Sequence, residues 1–235
     1  MNVSQVMTEL KKKGSAQSRK IYARHGAPEN MFGVKVADLK PIGKKIKGDQ
    51  ELVCELYETG NADAMYLAGL VADGSQMTKK QLETWAKTAS WYMISEYSVP
   101  WVTCDSKHAR DLATKWMKSK KENIASSGWA TYSCLLSMRD DEDLDLKEIK
   151  SLLKQVEKEI DGAAGRVRYT MNGFVIAVGA YVKGLSKEAK ATAKKIGKIE
   201  VDMGETSCKV PLATDYIAKI EKAGRVGKKR KVARC

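Results

Sequence analysis

The stretch Leu146-Lys-Glu-Ile-Lys-Ser-Leu-Leu-Lys-Gln-Val-Glu-Lys-Glu-Ile160 decides the fold. Leu146, Ile149, Leu152, Leu153, Val156 and Ile160 recur every three or four residues, with charged side chains between them. That period lays one apolar stripe along an α-helix and leaves its other face to water. The same pattern extends outward from this stretch. Val3, Val6, Met7 and Leu10 keep it, and Gly14 stands where a helix should stop. Asp49 is placed to cap a helix that carries Leu52, Val53, Leu56 and Tyr57 and ends at Gly60. Asn61 is placed to cap the next, with Met65, Leu67, Ala68, Leu70 and Val71 inside it and Gly74 after it. Thr78 and Gln81 have capping-box spacing ahead of Leu82 and Trp85. Only Ile199–Met203 alternates like a strand, and one short strand makes no sheet. The chain is expected to be all-α.

The helices read as short pairs, with starts near Asp49, Thr78, Lys121 and Gly162. Two of the three intervals fit the ~40–47 residues of HEAT-like units. Such pairs bury their apolar faces by stacking on their neighbours, which gives a curved α-α superhelix, a solenoid with one concave face. A compact bundle is the alternative that spacing leaves open. No linker divides the chain, so residues 1–223 read as one helical-repeat domain and 224–235 as a basic tail. The acidic run Asp140–Asp143 reads as a solvated turn between helices.

Composition narrows the function classes. The 235 residues carry 42 Lys and Arg against 29 Asp and Glu, a net charge of +13. A hydrophobic content of 43% is enough for a packed core and argues against a disordered chain. No apolar run approaches the ~18 residues of a membrane span, and the N-terminus lacks a secretory pattern. The expected location is cytoplasmic, or nuclear in a eukaryote, and not secreted. Cys54, Cys104, Cys134, Cys208 and Cys235 form no CxxC pair, and His25 and His108 stand far apart. Metal is therefore not expected. From Thr206 onward nine basic residues face only Asp215 and Glu221, with Lys228-Lys229-Arg230-Lys231 as the densest run. Such a run suits phosphates through counterion release. A solubilising tail is the alternative.

Aromatic residues mark the place to look. Trp85, Trp91, Trp101, Trp116 and Trp129 all lie within 45 residues, with Tyr92, Tyr97 and Tyr132 in or beside the stretch. Most tryptophans fill cores. Pro100 suits a first helical turn, and Trp101, Asp105, His108 and Leu112 then share one helix face. A carboxylate there needs a partner or a task. His108, one turn away, is the structural partner the spacing offers.

Trp101-x-x-x-Asp105, the helix Arg166–Phe174 and the helical pairs together resemble the AlkD-like DNA alkylation repair proteins. The resemblance covers most of residues 1–223 and implies HEAT-like repeats. It also implies DNA gripped on the concave face, and excision of cationic purines of the 3-methyladenine and 7-methylguanine type. It places the catalytic aspartate at Asp105 and its aromatic neighbour at Trp101. A carboxylate there would stabilise oxocarbenium character on the sugar, and an indole face attracts the cation. Trp129, Tyr132, Phe174, Arg166, Arg168 and His108 are the expected DNA or base contacts, joined by Lys228, Lys229, Arg230 and Lys231. Two positions depart from the family pattern. Tyr132 stands near the family's basic cleft residue, and Phe174 stands for a second cleft tryptophan. The resemblance implies a glycosylase acting on double-stranded DNA as a monomer, with no cofactor and no metal. A non-catalytic binder of branched or distorted DNA is the rival, and a protein-binding scaffold is the third.

Overall fold

A computed structural model describes residues 1–234; Cys235 lies outside the described residues. Thirteen α-helices and no strand are found among them. Three helices open the chain: α1 (Val3–Lys13), α2 (Ala16–Arg24) and α3 (Val36–Ile46). Five pairs follow: α4 (Gln50–Glu58) with α5 (Ala62–Val71), α6 (Lys79–Thr88) with α7 (Val99–Cys104), α8 (Ala109–Met117) with α9 (Glu122–Met138), α10 (Leu146–Glu159) with α11 (Gly165–Tyr181), and α12 (Ser186–Ile196) with α13 (Ala213–Lys222). The caps form where the sequence places them. Asp49 and Asn61 accept backbone N–H groups of their first turns, and Thr78 with Gln81 closes a reciprocal capping box.

The second helices form a continuous row. α5 packs on the turn before α7, α7 on α9, and α9 on α11, while α8 backs α9 and α12 backs α11. Close approach to this row needs glycine, and α9 shows why. A Cβ on Gly128 of α9 would lie 2.6 Å from the Met117 nitrogen and 2.8 Å from the Ala113 oxygen of α8. Ile149, Leu152, Leu153, Val156 and Ile160 are all buried, so the stripe of α10 is its core face, except at Leu146, which is exposed at the helix start.

Three expectations change. The starts near Lys121 and Gly162 lead into the second helix of their pairs, α9 and α11, and do not open the pairs themselves. Ile199–Met203 forms no strand; no neighbouring strand is there to accept its hydrogen bonds. Pro100 stands in the first turn of α7, where its residue type suits it. It follows a π-turn at Ile94–Ser98, in which the Val99 N–H reaches back to the Ile94 carbonyl. Proline has no N–H to restore the α pattern there. Finally, residues 225–234 are no loose tail. Gly224 and Gly227 adopt positive φ (63° and 80°), and the chain then lies as a strap against the helix ends.

Candidate functional site

The face of α7, α9 and α11 that no outer helix covers forms an open cleft of about 270 Å³. Tyr97, Trp101, Tyr169 and Tyr181 supply its aromatic walls, and Arg230 of the strap stands at its rim. The floor is made of small residues, among them Ala130, Ser133 and Gly173, so the aromatic rings flank a shallow trough. Trp101 is 5% exposed and meets Tyr66 and Tyr97 edge-on, with centroids 5.7 and 5.8 Å away. This geometry fixes the indole and leaves only an edge of it toward the cleft.

Beyond the Trp101 end, an ion pair is built into the wall. Glu96 sits in the π-turn and is buried, and the Arg166 Nε donates to its Oε1 at 2.7 Å. A second Arg166 nitrogen donates to the other carboxylate oxygen. Burial pushes the Glu96 carboxyl up to about 7, opposed by the hydrogen bonds and charge of Arg166. The guanidinium lies between the rings of Tyr92 and Tyr169, 4.3 Å from each centroid. A paired and sandwiched guanidinium is a fixed wall element with few donors left for a phosphate, which revises the expected contact at Arg166. Sequence reading misses Glu96, Tyr92 and Tyr169 as a unit because the partners lie on separate helices.

Asp105 lies at the other end of α7, as its C-cap. The helix stops there, so Trp101, Asp105, His108 and Leu112 do not share one helix; His108 is the N-cap of α8. His108 is not the partner of Asp105. Arg234 is: its Nη1 donates to Asp105 Oδ2 at 2.6 Å, its Nε to the Gly69 carbonyl at 3.0 Å and its Nη2 to the Ala72 carbonyl. Gly74 makes room for this corner, since a Cβ there would fall 2.0 Å from the Val102 oxygen.

The other expected contacts divide sharply. Trp129, Tyr132 and Phe174 are 0%, 3% and 0% exposed, and the first two pack edge-on against Phe174 on the core side of α9 and α11. The Tyr132 hydroxyl donates to Glu148, which Arg110 also holds. These three rings offer no surface to a ligand, which corrects the expected contacts at all three positions. Arg168 is spent on the carbonyls of Ile160, Asp161, Ala163 and Glu200, at 2.9–3.2 Å, and ties down the loop after α12. It too is structural.

The strap splits its cations. Lys229 turns inward, its Nζ donating to Asp141 at 2.7 Å and to the Tyr181 and Leu136 carbonyls at 2.8 and 3.0 Å. Asp141 is therefore an anchor, which corrects the reading of Asp140–Asp143 as only a solvated turn. Lys228, Arg230 and Lys231 remain exposed. Among the described residues no cluster of His, Cys, Asp and Glu could hold a metal ion, and no helix is long and apolar enough to cross a membrane.

This architecture is a HEAT-like helical repeat superhelix with an aromatic cleft on one face and a basic strap along one edge. The family described as DNA alkylation repair enzyme matches residues 6–189, and the chain belongs to it. A solved structure superimposes over 100% of both chains with a TM-score of 0.91 and 38% identity. That protein is described as one of a new family related to the HEAT-like repeat DNA glycosylases, with affinity for branched DNA structures. Two uncharacterized Listeria proteins are also similar. Lin0241 of Listeria innocua is 34% identical, and Lmo0209 of Listeria monocytogenes 32%, each over 92% of this chain and 95% of its own.

Proposed function

We propose that the protein binds DNA across the face of α7, α9 and α11, with preference for branched or distorted DNA. The observation that carries this reading is the aromatic cleft beside a strap of exposed cations, on a chain that aligns end to end with a branched-DNA binder. Unstacked bases at a branch find ring faces to stack on, and each such contact is worth ~1–3 kcal/mol. The phosphates flanking the branch find the basic edge.

Glycosylase activity on cationic alkylated purines is the second reading, favoured by Trp101 at the cleft one turn before Asp105. Against it stands the Arg234 guanidinium, which already neutralises the Asp105 carboxylate. A developing sugar cation would meet an ion pair there and not a bare carboxylate. The departures at Tyr132 and Phe174 weigh little either way, because both rings are buried away from the cleft.

Gel shifts on a four-way junction and on linear duplex of equal length test the first reading, with tighter junction binding expected. Release of 7-methylguanine from methylated duplex tests the second. The expected result is no release above the spontaneous rate; clear release would put excision first.

A further inference from the structure

The strap answers a problem posed by the fold. α5, α9 and α11 all end on the same edge of the row, where the strap contacts the carbonyls of Gly69, Ala72, Leu136, Ser137, Ala180 and Tyr181. Helix C-termini carry unpaired carbonyls and partial negative charge. Asp105 and Asp141 add two carboxylates to that edge. Bare, it would repel a polyanion lying in the cleft.

Residues 227–234 cover this edge and reverse its sign. Lys229 and Arg234 point inward and spend their donors on the carbonyls and the two carboxylates, with side chains only 15% and 22% exposed. The Gly227 and Arg230 amides donate to Ala180 and Ser137, both at 2.8 Å, and Ala233 is buried in the core. With these inward groups fixed, Lys228, Arg230 and Lys231 face solvent, Arg230 at the mouth of the cleft. Asp105 holds the far end of the strap through its most direct ionic contact.

We propose that Asp105 is a positioning residue for DNA binding: it anchors a C-terminal strap whose outward cations take DNA phosphates along the cleft edge. The inference rests on the DNA-binding reading above and gives Asp105 a task other than catalysis. It also reverses a simple electrostatic expectation. Replacing Asp105 by asparagine adds one unit of net positive charge, which by itself favours a polyanion. If Asp105 anchors the strap, the same change loosens three phosphate-facing cations and weakens binding.

The test uses the full chain and a four-way junction, followed by fluorescence anisotropy over a range of salt. Asp105→Asn should weaken binding roughly tenfold and flatten the salt dependence by ~0.9 for each phosphate that is no longer neutralised. Trypsin should cut after Lys228 and Lys231 faster than in the wild type, while the melting temperature changes little. Arg234→Ala, which also loses the Gly69 and Ala72 carbonyls, should weaken binding at least as much, and the double variant should be no worse than Arg234→Ala, because both changes break the same ion pair. Asp105→Glu should restore most of the affinity, which a passive loss of packing would not. The triple variant Lys228→Ala, Arg230→Ala, Lys231→Ala alters only exposed side chains and should lower affinity and salt slope with no change in melting temperature. Unchanged or tighter binding by Asp105→Asn overturns the anchor role, and an unchanged slope in the triple variant overturns the phosphate role. A wild type that binds no DNA at all refutes the underlying reading, and does so before any variant is compared.

Discussion

Two aromatic clusters sit on opposite sides of the helix row and have opposite fates. On the core side, Trp129, Tyr132 and Phe174 interlock at centroid distances of 5.2 and 5.8 Å and are sealed from solvent. On the open side, Tyr97, Trp101, Tyr169 and Tyr181 line a trough floored by alanine, serine and glycine. The residue types are nearly the same, so composition cannot separate them. What separates them is position around α9 and α11. Ala130, Ser133 and Gly173 face outward where nothing packs, whereas Trp129, Tyr132 and Phe174 face the outer helices. One cluster stabilises the fold, and the other is free to meet a ligand.

The largest effect that could break this division is on the core side. Trp129→Ala should cost about 3–5 kcal/mol of stability, the range for a buried large aromatic, measured by denaturant unfolding. Its folded fraction should keep wild-type DNA affinity. A stable variant that binds DNA poorly would mean the two sides have been exchanged.

A smaller effect of opposite kind is expected across the helix. Tyr181 is only partly buried and lines the cleft. Tyr181→Ala should leave the melting point within a few degrees of wild type and cost about 1–3 kcal/mol of junction affinity, the scale of one base stacked on one ring. Equal losses in both measurements would class Tyr181 with Trp129.

The smallest effect sharpens the account of what holds the outer helices. Glu157 of α10 receives Lys195 and Thr192 of α12, both at 2.8 Å. The Lys195 hydrogen bond, with Thr192 and Lys154, pulls its carboxyl down to about 2 against desolvation. A depressed carboxyl contributes stability above its unfolded pKa, and that contribution is lost as the pH falls through its folded one. Between about pH 4.5 and pH 2, the wild type should therefore lose more melting temperature than Glu157→Gln. Parallel curves would show that this link does not couple α10 to α12.

The two sides of the row also explain what can be read from the sequence. The helices with polar faces, α1, α4, α6 and α10, are legible because a local stripe defines each one, joined by a cap or a stop residue in α1, α4 and α6. The row helices α5, α9 and α11 are apolar on most of their circumference. Their pattern indicates burial without saying which side is covered, so nothing in it opposes the cleft positions that the resemblance implies for Trp129, Tyr132 and Phe174. The pair register slips at Lys121 and Gly162 for the same reason. Trp101 is legible at the cleft because its motif is local. Asp105 is legible as a position and not as a partner, since Arg234 lies 129 residues away. A cation run at a chain end reads as phosphate-seeking, and nothing local shows which of its members turn inward to close helix ends.

Tyrosine nitration, with and without a four-way junction and read by mass spectrometry, tests the division of faces most directly. Tyr97, Tyr169 and Tyr181 are partly exposed in the cleft, and Tyr216 on α13 is 52% exposed outside it. Saturating junction DNA should protect the first three and leave Tyr216 as reactive as in the free protein. Protection of Tyr216 with the cleft tyrosines unchanged would place DNA on another surface and contradict the account.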